Sequence, residues 1–139
     1  MKLQLLPLDQ EFLETIEGHE GVIIDEKGVY HVFSVDHEPA GIVGFIPLKD
    51  KTSEGNQGFV QIAISNKFRG KGLVRKAEDL LAEEHDLIVL YATIDEKNKA
   101  SVAAHLKAGF EPEDPGKVEW LKQNGMLQKN EVRLRKDYY

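Results

Sequence analysis

Ile62-Ala63-Ile64-Ser65-Asn66-Lys67-Phe68-Arg69-Gly70-Lys71-Gly72-Leu73-Val74 is the stretch on which the fold turns. An apolar run of strand character, Phe59 to Ile64, reaches the break Ser65-Asn66. A glycine turn follows, and then Leu73, Ala77, Leu80 and Leu81 recur at helical spacing. Such a strand–turn–helix gathers free backbone N–H groups and the positive end of a helix dipole at one spot. That spot suits a phosphate or pyrophosphate, and glycine lets the ligand approach the backbone closely. Arg69, Lys71, Arg75 and Lys76 add positive charge nearby. On these residues alone, a plain strand-to-helix turn with a solvated basic face fits equally well.

Two phosphate loops can be tested against the stretch. A P-loop requires G-x-x-x-x-G-K-[ST], and the chain contains no such run. A dinucleotide fingerprint requires G-x-G-x-x-G, and Arg75 stands where the third glycine belongs. Asp95 and Glu96 lie where a ribose-binding acid could stand, but the missing glycine argues against a nicotinamide cofactor.

Outward from this centre the chain expects a mixed α/β order. Toward the N-terminus, Lys2 to Leu6 suits a strand closed by Pro7. Asp9 suits the cap of a short helix carrying Phe12, Leu13 and Ile16, ending at Gly18. Val22 to Ile24 is a brief apolar run. Tyr30 to Val35 and Gly41 to Leu48 are β-rich, with Asp36-His37-Glu38-Pro39 as the hairpin turn. Lys49 to Gln57 has loop composition. Toward the C-terminus, Leu87 to Ile94 is of strand character. Asn98 suits the cap of a helix with Val102 and Leu106 on one face, and Gly109 ends it. Trp120, and then Val132 and Leu134, suggest two closing strands.

The whole composition sets bounds. A chain of 139 residues is one domain's worth, residues 1–139, with 41% hydrophobic and 30% charged residues typical of a soluble globular protein. With Cys 0, neither a disulfide framework nor a thiolate nucleophile is available. His19, His31, His37, His85 and His105 lack the close pairing of a metal site, so no metal is expected. The N-terminal apolar run is too short for a signal peptide, and no stretch approaches membrane-spanning length, so a cytoplasmic protein is expected. A formal net charge of -6 argues against a nucleic-acid partner.

Arg69-Gly70-Lys71-Gly72-Leu73-Val74 resembles the coenzyme A signature [QR]-x-x-G-x-[GA] of the GNAT superfamily of N-acetyltransferases, and Ile62-x-Ile64 is similar to the strand that leads into it. Asn66 stands where relatives usually have proline, and Val74 where they have a small residue. Asn98, Ser101, Gly109 and Phe110 fall on the positions of the family's later strand–helix unit, and Ala40 to Phe45 looks like its second hairpin strand. The resemblance covers Ala40 to Phe110. It implies a central mixed, mostly antiparallel sheet flanked by helices. The short connection between the first strand and the hairpin implies a reduced N-terminal helical cover.

The same resemblance implies acetyl-CoA as cosubstrate, a primary amine on a small molecule or peptide as acceptor, and direct attack on the thioester. Ile62, Ala63, Ile64, Arg69, Gly70, Lys71, Gly72, Leu73, Val74, Asn98, Ser101 and His105 would line the coenzyme site. A backbone N–H near Ile62 to Ile64 would meet charge developing on the carbonyl oxygen. His105 stands where relatives carry the tyrosine that protonates the leaving thiolate, and an imidazolium can give up a proton; the alternative is that His105 only packs against the coenzyme or the helix. The strand Gly58 to Ile64 carries no carboxylate, which leaves Glu54 as the nearest acid and candidate base, with Asp36, Glu38, Tyr91 or a water chain as alternatives. The other function considered is a non-catalytic acetyl-CoA-binding module on the same fold. Either a monomer or a homodimer is compatible.

Overall fold

The computed structural model describes residues 1–48 and 56–138. Among the described residues eleven strands and helices follow one another: β1 (Leu3–Pro7), α1 (Gln10–Thr15), β2 (Val29–Val35), β3 (Glu38–Pro47), β4 (Asn56–Ile64), α2 (Leu73–Glu84), β5 (Leu87–Asp95), α3 (Lys99–Lys107), β6 (Glu111–Pro112), α4 (Pro115–Gln123) and β7 (Glu131–Asp137). Single 3₁₀ turns occur at His19–Gly21 and Asn66–Phe68. The strands form one seven-stranded sheet in the order β1-β2-β3-β4-β5-β7-β6. β4 and β5 are parallel and every other pairing is antiparallel. The parallel pair exists because α2 carries the chain from the end of β4 back to the start of β5.

Alternation along the strands sends side chains to two packed faces. Phe33, Val43, Phe45, Leu90, Ala92, Ile94 and Leu134 face α2 and α3, where Leu73, Ala77 and Leu81 complete the larger core. Val32 and Ile42 face the other way and pack on Leu13, Ile16 and Val22. The short N-terminal cover thus has its own apolar cluster. Asp9 caps α1, its Oδ1 accepting from the Phe12 N–H at 3.1 Å. The cover between β1 and β2 is a single short helix and one 3₁₀ turn, as the short connection required.

The structure departs from the sequence expectation in two strand boundaries and in two elements. The hairpin turn is only Asp36-His37, because both residues take positive φ (49 and 72), the conformation of a two-residue turn, and β3 starts at Glu38. β4 begins earlier than expected, at Asn56. The segment around Trp120 is a helix, α4, rather than a strand. Asp114 caps it by accepting from the Lys117 N–H at 3.0 Å, and Pro115 occupies its first turn, where a missing N–H costs nothing. Trp120 stands on its outer surface, 53% exposed. β6 is a two-residue strand on the outer side of β7 that the sequence expectation lacked.

The two ends of the core are stitched by polar groups. Lys136 Nζ on β7 donates to Asp79 Oδ1 of α2 at 2.7 Å and to the Ala108 carbonyl at 2.6 Å. The Tyr138 hydroxyl donates to the same Asp79 oxygen at 2.9 Å. Among the described residues no helix is long and apolar enough to cross a membrane.

Candidate active site

β4 and β5 part company halfway along. They pair from Asn56↔Leu87 to Phe59↔Tyr91, yet β4 runs on to Ile64 and β5 to Asp95. Beyond Phe59 the β5-facing backbone groups of β4, including the Ile62–Ile64 segment, have no strand partner across the gap. A cleft of about 520 Å³ occupies the opening, lined by Val60, Gln61, Ile62, Thr93, Ile94 and Asp95. Asn98, Ser101 and His105 of α3 close it on one face of the sheet, and Gly18, Gly21 and Ile23 close it on the other. Gln61 fixes that second wall by accepting from the Ile23 N–H at 3.0 Å. Ala63 points to the same side, against the N-terminal cluster.

At the far end of β4 a second groove, about 510 Å³, runs between the start of α2 and one side of α3. Gly70 and Gly72 form its rim with φ of +74 and +71, a left-handed backbone that side chains rarely adopt. Space in front of both is open, with no atom within 4 Å of where a Cβ would stand. α2 has no side-chain cap, so its first N–H groups, Leu73 and Val74 among them, are left for a ligand. The opposite wall is Ala100, Ala103, Ala104 and Ala108, small enough for a narrow chain to lie flat on the helix, with Lys107 and Arg75 adding charge. Val74 packs its branched side chain against the main core and lines the groove. An anionic group on a slender arm fits this shape and this chemistry.

The individual side chains are placed in ways the spacing could not show. Arg69 does not reach into the groove. Its Nε donates to the Ile64 carbonyl at 2.9 Å, and its guanidinium also donates to the Glu17 carbonyl, which ties the N-terminal cover to the end of β4. Lys71 is exposed beside the Phe68 ring. Asn98 caps α3, its Oδ1 accepting from the Ser101 N–H at 3.2 Å.

His105 is 3% exposed and both of its ring nitrogens face protein atoms. Nδ1 donates to the Ser101 carbonyl at 2.9 Å, and Nε2 meets Glu78 Oε2 at 2.7 Å. Phe110 packs edge-on against the ring. Glu78 is fully buried in α2, and its Oε1 has no hydrogen-bond partner among the described residues. Burial raises the Glu78 carboxyl above the usual carboxylate range, against the opposing pull of His105. Burial alone would lower His105, but the bond and charge of Glu78 outweigh it and hold the imidazole above its ordinary value. The two groups titrate as a coupled pair, because Nε2 and Oε2 lie 2.7 Å apart.

Glu54 lies outside the described residues. Of the alternatives, Asp36 accepts from the Lys2 N–H, Glu38 pairs with Lys67, and the Tyr91 hydroxyl bonds Gln57. None of these three residues lines the cleft. The carboxylates that do are Asp95 and Glu131, which face each other across β5 and β7. Both Asp95 oxygens are engaged, by the Lys97 N–H and by Asn130 Nδ2. Glu131 Oε1 accepts from the Gln128 N–H at 2.9 Å, and Oε2 has no hydrogen-bond partner among the described residues. Sequence reasoning missed Glu131 because it sits on the last strand, far along the chain, and only the β5–β7 pairing brings it to the cleft. It missed a second long-range pair too. His31 Nε2 and His85 Nε2 lie 2.8 Å apart on the opposite end of the sheet, remote in sequence but adjacent in space. Among the described residues no group of three or more metal-ligating side chains is found.

Comparison with known proteins bears on the family and the fold. The Acetyltransferase (GNAT) domain family matches residues 8–111. No curated protein matches the chain. Among solved structures, the N-acetyltransferase PseH of Campylobacter jejuni in complex with acetyl coenzyme A superposes with a TM-score of 0.68 at 13% identity, covering 99% of this chain and 100% of that one. The GNAT domain of S. lividans PAT gives 0.65 at 12% identity, with 97% and 89% covered. A spermidine N-acetyltransferase SpeG chimera from Vibrio cholerae and hSSAT gives 0.65 at 16% identity, with 99% and 96% covered. At these identities the likeness is one of fold.

Proposed function

The chain belongs to the GNAT acetyltransferase family, and on that premise we propose that it transfers the acetyl group of acetyl-CoA directly to a primary amine. The observation that carries the reading is the junction of two cavities at one strand. The groove at the uncapped α2 N-terminus suits a pyrophosphate, and the β4–β5 opening follows directly along β4, with Ile64 lining the first and Ile62 the second, where an arm laid along α3 would end. Acetyl-CoA supplies an activated thioester. The residues present fit it through the glycine rim, the open N–H groups of Leu73 and Val74, and the alanine wall of α3.

Each remaining task falls to a group of this chain. Backbone N–H groups in the Ile62–Ile64 segment, left without a strand partner, point into the opening and stabilise negative charge on the acyl oxygen. Asn98 and Ser101 hold the wall along which the arm would lie. An amine with an ordinary pKa of about 10.4 must lose a proton before attack, and Glu131 takes that role as the carboxylate on the cleft wall with an oxygen that accepts no hydrogen bond among the described residues. Its Oε1 is anchored by Gln128 while Oε2 remains open to accept. His105 is the histidine on the cleft wall and is assigned the proton for the departing thiolate. The assignment carries a structural condition, since Nε2 must exchange its Glu78 bond for the sulfur.

The test is thermal stabilisation by acetyl-CoA together with mass detection of acetylated product from an amine panel. Gly72→Val should abolish the stabilisation, because the positive φ and the space in front of it exclude a branched side chain next to a phosphate. Full stabilisation of that variant would remove the coenzyme from this groove.

A further inference from the structure

One cavity among the described residues belongs to neither of these sites. It is a groove of about 810 Å³ between α3, α4 and the edge of β7, within the size range of small-molecule sites. Its surface is predominantly apolar, provided by Val102, Leu106, Pro112, Pro115, Val118 and Val132. It opens where β6 stops, because that two-residue strand covers β7 only at Leu134 and Arg135. Nothing assigned so far uses it.

Its charged groups are unevenly disposed. Lys122 Nζ is engaged by the Lys129 carbonyl at 3.0 Å. Arg133 Nε donates to Thr93 Oγ1 at 2.9 Å, and the guanidinium lies over the rings of Phe59 and Tyr91. Glu113 is 9% exposed, and its Oε2 has no hydrogen bond among the described residues, although Lys117 Nζ stands 3.4 Å away. Of the charged side chains on this wall, Glu131 is the one that also lines the β4–β5 cleft. The groove therefore meets the reaction cleft at a carboxylate with an open oxygen.

We propose that the acceptor is an amine carrying an apolar chain or ring, its body lodged in the α3–α4–β7 groove and its ammonium held at Glu131 on the threshold of the cleft. This rests on the acetyltransferase reading above and adds the acceptor's class. An apolar body contributes affinity in proportion to the surface it buries, and the ammonium bonds the Glu131 oxygen that accepts no hydrogen bond among the described residues, joining the charge of Arg133 already felt there. The groove and cleft together then orient the nitrogen toward the thioester.

The test measures dissociation constants by calorimetry with the full chain and coenzyme A present, so that no turnover is needed. The probes are n-propylamine, n-butylamine and n-hexylamine, with n-hexanol as the uncharged control. Affinity should rise about fourfold per added methylene. n-Hexylamine should bind at least about tenfold more tightly than n-hexanol, and Glu131→Gln should erase that preference. Val118→Trp, which fills the groove, should flatten the chain-length series while coenzyme A still binds. If Val118→Trp fails to fold, Leu106→Glu should flatten it equally, since Leu106 is 45% exposed and tolerates charge. A flat series in the wild type, with coenzyme A bound, overturns the groove as acceptor site and leaves the acetyltransferase reading intact. Failure of coenzyme A to bind at all overturns both.

Discussion

The two sides of the β4–β5 opening are built in different ways. On the proposed coenzyme side, the groove comes from one continuous stretch, Ile64 to Arg75, and from α3 a short distance further on. On the proposed acceptor side, the cleft walls come from the N-terminal cover, β4, β5, β7 and one side of α3, which span almost the entire chain. A backbone-built phosphate site is local, because consecutive N–H groups and a helix dipole make it. A side-chain-built acceptor site is assembled by strand order, so its composition is free to change without disturbing the coenzyme side. This chain shows the consequence, with no carboxylate on β4 from Gly58 to Ile64 and Glu131 brought in from β7.

The largest effects should fall on the acceptor side. Glu131→Gln should lower kcat/KM by about 10²-fold near neutral pH, the usual scale for general base work, while acetyl-CoA stabilisation stays at wild-type strength. A loss of that stabilisation in step with activity would dissolve the distinction between the two sides. His105→Ala should lower kcat by about 10²-fold with coenzyme binding little changed, if the imidazole donates to sulfur as assigned. A purely structural His105 gives the opposite pattern, with lower stability and kcat nearly intact.

The strand–glycine turn–helix at the start of α2 was legible in sequence for a physical reason. Gly70, Gly72 and the apolar spacing of α2 are local signals, and so are the caps at Asp9 and Asn98. What escaped was either long-range or a local signal outweighed by another. Glu78 looks like an ordinary surface residue of an amphipathic helix, yet it is fully buried against His105, twenty-seven positions away. Arg69 has the charge for a phosphate, but its side chain meets two carbonyls of the fold instead. The aromatic Trp120 suggested a strand, whereas Asp114-Pro115 already marked a helix start.

Smaller effects test the shared wall, α3. Asn98→Ala should cost about 1 kcal/mol of stability in the free protein, the usual worth of a side-chain cap, measured by denaturant unfolding. If only the coenzyme complex is weakened, Asn98 is a ligand contact and its cap is dispensable. A finer test is the pH dependence of stability. His105 has a folded pKa raised above its ordinary 6.5. Its contribution is therefore full below about pH 6.5 and is lost as pH rises through the higher folded value. Glu78→Gln removes the carboxylate that raises it, so the alkaline decline in stability assigned to His105 should shrink. An unchanged decline would place its origin outside the pair.

The central claim is acetyl transfer to an amine at the β4–β5 opening. The most direct measurement follows acetyl-CoA and a panel of amines with the purified chain, reading acetylated product by mass spectrometry alongside free coenzyme A. The account predicts product and coenzyme A in equal amounts, with turnover strongly reduced in Gly72→Val. Tight acetyl-CoA binding with no acetylated amine from any member of the panel would contradict it, and would make the chain a coenzyme-binding module on an acetyltransferase fold.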